Sequence, residues 1–172
     1  MRWIASLVVL ALVSPIASAG AISAQFNSGF GGVSWGMSLG ALVGMLPGGE
    51  HHFSTAPGDR VYIVRNDDPI YGVPRENGQI QYHFGADNEV ESIALSLPYE
   101  RREQVMEALI GMFGAYARVH EEGTARIYTW QPDRDIVLGV RASRNPTYGI
   151  LEVWIRHVGS DGSSSRSKQA CR

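Results

Sequence analysis

Polar and apolar residues alternate along this chain with two periods, and the switch between them outlines its elements. From Glu100 to Tyr116, Val105, Leu109, Met112, Phe113 and Tyr116 fall on one helical stripe. Glu100, Arg101, Arg102, Glu103 and Glu107 keep mostly to the other side, with Pro98 ahead of the first turn and Gly114 near the end. A shorter helix is predicted from Leu39 to Leu46, N-capped by Ser38 and ended by Pro47-Gly48-Gly49. Strand-like alternation marks Arg60–Arg65, Ile80–Phe84, Ile93–Leu97, Ala125–Trp130, Ile136–Arg141 and Ile150–His157. Asp87-Asn88-Glu89 turns the second of these into the third, as a hairpin. The remaining stretches read as a loose lead-in at Gly20–Gly29, a short strand at Phe30–Trp35 and a polar loop at Glu50–Gly58. Asn66–Gly78 reads as a loop holding one short strand at Ile70–Val73, and His120-Glu121-Glu122 as a solvated connection.

Part of this pattern occurs twice. Ala108-Leu109-Ile110-Gly111-Met112-Phe113 repeats Ala41-Leu42-Val43-Gly44-Met45-Leu46, and Arg126-Ile127-Tyr128 answers Arg60-Val61-Tyr62 at nearly the same separation. Self-similarity at a fixed spacing is a signal of fold. It predicts an α+β two-layer sandwich of tandem helix-plus-three-strand repeats, with an antiparallel sheet and both helices on one face. Repeat 1 spans 30–98 and repeat 2 spans 99–158, the two sharing one core.

Strand parity then assigns faces. Ile80, Tyr82, Phe84, Ile93, Leu95, Leu97, Ile136, Leu138, Val140, Leu151, Val153 and Ile155 look toward the helices. The alternate positions include Gln81, His83, Arg141, Glu152, Trp154 and Arg156. If Ile127 faces the core, Arg126, Tyr128 and Trp130 join them, as do Arg60 and Tyr62 from the echoed strand. Trp, Tyr and Arg combine large contact area with a polar handle and are enriched at protein-binding hot spots. The expected partner-binding set is therefore Arg60, Tyr62, His83, Arg126, Tyr128, Trp130, Arg141, Trp154 and Arg156. A covering layer from the N-terminal segment or the Asn66–Gly78 loop would cancel it.

The N-terminus changes the picture of where the protein works. Arg2, the apolar run Trp3–Val13 and Ala17-Ser18-Ala19 match a signal peptide at 1–19 cleaved before Gly20, with a second possible cut after Ala24. The run is shorter than the ~18–20 apolar residues of a membrane span, so no stable membrane insertion is expected. A periplasmic or secreted protein follows. The only Cys, Cys171, lies in the polar Gly/Ser-rich tail at 159–172, so no intramolecular disulfide can form and the fold must stand on its core. A net charge of −2 over 172 residues favours neither nucleic acid nor an anionic membrane surface.

Candidate chemistry adds little. Gly32-Val33-Ser34-Trp35-Gly36 matches the nucleophile-elbow pattern, which would make Ser34 a hydrolase nucleophile with His83 or His157. That motif needs a parallel sheet, and this one reads as antiparallel. Glu50-His51-His52 lacks metal-ligand spacing, because adjacent side chains of an extended chain point apart. Asp67-Asp68 and Asp133-Arg134-Asp135 lack the spacing of a calcium loop. No catalytic residue, metal or cofactor is expected.

The layout resembles the beta-lactamase inhibitor protein family, exported chains of two helix-plus-sheet repeats, and the related module of SmpA/OmlA-type outer-membrane assembly lipoproteins. The paired Ala-Leu-x-Gly-Met segments, the paired Arg-x-Tyr strands, and Tyr128, Trp130 and Trp154 carry the resemblance, over roughly Phe30 to Val158. The inhibitors' disulfides and the lipoproteins' lipobox Cys have no counterpart here. The resemblance implies architecture and a habit of binding proteins through the sheet. The expected function is an exported, non-enzymatic protein-binding module (inhibitor, immunity-type antagonist or envelope assembly factor), monomeric or weakly dimeric, with another periplasmic or secreted protein as partner. The alternatives are the Ser34 hydrolase and an envelope protein holding a small ligand.

Overall fold

A computed structural model describes residues 20–53, 60–144 and 149–159. Helix α1 (Ala21–Phe26) and helix α2 (Leu39–Met45) precede strands β1 (Glu50–Phe53), β2 (Arg60–Arg65), β3 (Gln79–Phe84) and β4 (Val90–Pro98). A 3₁₀ turn at Tyr99–Arg101 leads into α3 (Arg102–Phe113), followed by β5 (Arg118–Glu122), β6 (Ala125–Thr129), β7 (Ile136–Arg144) and β8 (Gly149–His157). All the strands form one antiparallel sheet in the order β1-β2-β3-β4-β8-β7-β6-β5. The chain meanders inward from one edge to β4, crosses through α3 to the far edge, and meanders back until β8 pairs with β4.

The sheet-dominated α+β architecture agrees with the sequence, but the count of three strands per half does not. α2 and α3 are each followed by a four-strand meander (a 3₁₀ turn leads into α3), because β1 and β5 are strands where loops were expected. Both are edge strands, and every residue of β5 is exposed. With neither face buried there is no selection for alternation, so the sequence carries no strand signal.

Cross-strand register builds the core. Ile93 lies opposite Ile155 and Leu95 opposite Val153 across the β4/β8 seam, and Leu138 and Val140 continue the same rows on β7. Leu42 of α2 and Val105, Leu109 and Phe113 of α3 close over them in a single hydrophobic cluster. The lead-in expected at Gly20–Gly29 belongs to this layer. Ile22 and Phe26 of α1 are buried, and the Phe26 ring packs 5.8 Å from Phe113 and 6.2 Å from Phe30. The Trp35 indole donates to the Phe26 carbonyl at 2.7 Å, and the Ser23 amide donates to Asp133 at 2.8 Å. Phe30 and Val33 close a tight turn in place of the predicted strand.

The Asn66–Gly78 loop also packs on the helix side. Ile70 and Val73 bridge a turn whose central residues, Tyr71 and Gly72, hold φ of 54° and 76°, and both bridging side chains are buried in the core. Buried Arg75 fastens the loop: its guanidinium lies over Gly78 and donates to Asn66, with the charges of Asp67 and Asp68 nearby. The described part of the N-terminal segment, from residue 20, and the Asn66–Gly78 loop therefore both pack on the helix side rather than across the other face of the sheet.

Aromatics in or just after the second strand of each meander secure the helix ends. The Tyr62 hydroxyl donates to the Leu46 carbonyl at 2.6 Å and accepts from the Gly49 amide at 2.9 Å. The Trp130 indole donates to the Gly114 carbonyl at 2.7 Å. Terminal carbonyls that no intrahelical donor reaches thus find partners on the sheet. Among the described residues no helix is long and apolar enough to cross a membrane.

Candidate functional site on the helix-free face

The register fixes which side chains look away from the helices. On β3 and β4 these include Gln81, His83, Ser92, Ala94 and Ser96; on β8 and β7, Glu152, Trp154, Arg156, Gly139 and Arg141. On β6 and β5 they include Ile127, Thr129 and His120. Among the described residues no helix lies over this face.

Trp154 is its centrepiece. It pairs with Ala94 on one side and Gly139 on the other. A Cβ at Gly139 would lie 2.2 Å from the indole, so the ring rests against the bare backbone of β7. Gly139 has ordinary strand geometry, and what the position requires is space. Ala94 is only 2 % exposed although among the described residues no second layer covers it, because the large ring shields its small neighbour. The guanidinium of Arg156 sits 6.0 Å from the centre of the indole ring. Gly139→Ala is expected to push the indole off the sheet and destabilise the fold by about 1–3 kcal/mol. Loss of the ring-current shifts on the residue-139 amide, together with a lower urea midpoint, would report it.

A groove of about 500 Å³ opens beside this ring, lined by His83, Glu91, Glu152, Trp154, Ile127 and His120 among others. β3 and β5 are separated by four strands in the sheet. Flat strands would hold His83 and His120 about 24 Å apart at the usual inter-strand spacing. One groove reaching both means that the sheet curls toward its helix-free face, with the β4/β8 seam along the floor.

Glu152 is the unusual charge here. Burial pushes its carboxyl above the ordinary glutamate range, and the cross-strand Arg141 only partly draws it back. Among the described residues no hydrogen bond or ion pair closes on that carboxylate. A raised carboxyl pKa means that the folded state holds the proton more tightly than the unfolded chain. The associated stability is present below the ordinary glutamate value and is lost as pH rises through the raised one. Glu152→Gln, which mimics the protonated form, is therefore expected to raise the melting temperature at pH 7 and to lose that advantage in acid. Melting curves of both proteins across the acid range check it.

Four of the residues expected on this face are there: His83, Arg141, Trp154 and Arg156. Five are not. Arg60 and Tyr62 of β2, and Arg126, Tyr128 and Trp130 of β6 and the residue after it, lie on the helix side. The reason is the parity of β6: Ile127 pairs with Arg141 and Tyr128 with Val140, so Ile127 takes the open face and its neighbours turn under the helices. Tyr62 likewise pairs with core Tyr82. Arg60 and Arg126 reach solvent from the sheet's flanks, where Arg60 donates to Asn88 and Arg126 pairs with Glu121 at 3.0 Å. The sequence reading also passed over Gly139 and Glu91, turned Ile127 toward the core and left His120 in a solvated connection, whereas the register puts Ile127 and His120 on this face. The one signal for Gly139 was a glycine inside an otherwise apolar strand.

The other motifs stay apart from the groove. Ser34 is exposed in the turn before α2, and among the described residues its hydroxyl bonds to no histidine. His157 instead stacks 5.7 Å from Trp35 on the helix side. His51 packs on Tyr62 while His52 approaches Glu50 at 3.5 Å, so the two point to opposite faces. Among the described residues no group of three or more His, Cys, Asp or Glu could hold a metal ion. The predicted signal peptide and most of the tail, with Cys171, lie outside the described residues. No family model, curated protein or solved structure matches the chain.

Proposed function

We propose that the chain is an exported, non-enzymatic protein-binding module that holds its partner in the curled, helix-free face of the sheet. One observation carries this reading: a tryptophan pinned on a glycine, partly exposed beside a groove of about 500 Å³, with arginine and histidine around it. A large aromatic kept at the surface of a concave face costs solubility unless something covers it. Its fixed position means that little side-chain entropy is lost when a partner does so. The apolar run at Trp3–Val13 supports export, and with it a partner in the periplasm or outside the cell.

Duplication of an ancestral helix-plus-sheet unit accounts for the groove's position. The echoed residues behave alike: Leu42 and Leu109 are fully buried, Met45 and Met112 are exposed, and the Arg-x-Tyr segments occupy the second strand of each meander. On this view the groove lies at the seam between two copies, in keeping with the resemblance to tandem-repeat inhibitors. The test is affinity capture from periplasmic extract with wild-type protein and with Trp154→Ala. A partner retained by the first and lost by the second supports the reading; equal retention overturns it.

A further inference from the structure

Resting on that reading of the face, we infer that the groove receives a cationic side chain, lysine or arginine, carried on a protruding loop of the partner protein. The charges in the groove argue for it. Glu152 and Glu91 both line the space, and among the described residues Arg156 is the only arginine that does. That guanidinium is already placed over the Trp154 ring. Arg141 acts on Glu152 from the neighbouring strand but does not line the groove. The Glu152 carboxylate is thus partly withdrawn from water while no donor among the described residues hydrogen-bonds to it. Such a group gains most from a donor supplied from outside.

The surroundings fit the rest of a lysine or arginine. Ile127, partly exposed in the groove, offers apolar surface for a methylene stem. The Trp154 indole, held in place by Gly139, offers a π face for the charged head, for which Arg156 would move aside. His83 and His120 stand on opposite walls and can face the loop that bears it. An acidic loop would instead meet both carboxylates, and like charges brought together in a partly dry groove oppose binding. The volume exceeds what one side chain fills, which favours a loop tip over an isolated ion.

The experiment follows the Trp154 indole N–H by NMR in labelled protein, with the resonance assigned by Trp154→Phe. The probes are short cyclic peptides identical except for a central Arg, Lys, Glu or Leu, and free arginine amide. The Arg and Lys peptides are expected to shift the Trp154 and Ile127 signals, and Glu152→Gln to weaken them about tenfold. The Glu peptide is expected to leave those signals in place. A Glu or Leu peptide that binds as well as the Arg peptide overturns the inference, as does an unchanged affinity in Glu152→Gln. Absence of any shift with Arg and Lys peptides overturns it too. Arginine amide binding as tightly as the Arg peptide makes this a small-molecule site and overturns the loop occupant. Because Glu152→Gln is expected to stabilise the fold, a loss of binding cannot be ascribed to unfolding. If capture of the partner is lost in Trp154→Ala but kept in the Glu91→Gln/Glu152→Gln double variant, the face binds a protein and only the cationic contact is wrong. If Trp154→Ala keeps its partner, the reading of the face falls as well.

Discussion

Trp130→Ala is expected to cost about 3–5 kcal/mol of stability, the usual range for deleting a large buried aromatic. The ring is 1 % exposed, and its indole is the donor that satisfies the carbonyl of Gly114 at the end of α3. Tyr116 packs against it edge-on at 6.1 Å. Truncation would empty the space beneath the end of α3 and leave the helix-end carbonyl without its donor. A domain of this size has about 5–15 kcal/mol in hand, so the variant would sit near the edge of folding. Trp130→Phe keeps most of the volume and loses only the hydrogen bond, for an expected cost of about 1–3 kcal/mol. Urea titrations should show a lower midpoint with an unchanged slope. Whatever fraction remains folded should bind its partner normally. The sequence reading, with Trp130 on the binding face, called for the opposite: an intact fold and no capture.

Trp154→Ala is expected to do what Trp130→Ala does not. The ring lies outside the hydrophobic core, against Gly139 and Ala94, so its removal uncovers two small residues and leaves the helix layer undisturbed. Partner affinity should fall by about 2–4 kcal/mol, on the order of 30- to 1000-fold, as for a hot-spot aromatic at the middle of an interface. Circular dichroism should remain that of wild type. Isothermal titration with the isolated partner measures the loss.

The difference between these two tryptophans shows what was legible in the sequence. Trp154 stands between Val153 and Ile155, and β-branched residues on both sides leave one choice of parity. Trp130 ends the run Arg126-Ile127-Tyr128-Thr129-Trp130, in which both parities carry apolar groups. Hydropathy favours Ile127 for the core. Geometry favours Tyr128 and Trp130, because the space under a helix terminus calls for large rings with a polar handle. Edge strand β5 was hidden because neither of its faces is buried, β1 because Glu50, His51 and His52 are all exposed, and α1 because a helix of six residues is too short to show a period.

The helical stripe itself was only partly right. α3 ends at Phe113, so Tyr116 lies beyond it, and Met112 on the predicted stripe remains 40 % exposed. His83, Arg141 and Arg156 were placed by the same parity that placed Trp154. The groove itself was not legible, since it depends on the curl of the sheet, which brings His120 within reach of a space that also touches His83. Strand patterns report which side a residue takes and carry no record of how far the sheet bends.

The most direct measurement compares the isolated partner's affinity for Trp154→Ala, on the curled face, with its affinity for Met112→Ala, on the exposed flank of α3. We expect the first substitution to abolish binding at concentrations that saturate wild type and the second to leave the affinity unchanged. Loss of binding in Met112→Ala with retention in Trp154→Ala would put the partner on the helix side and contradict the assignment.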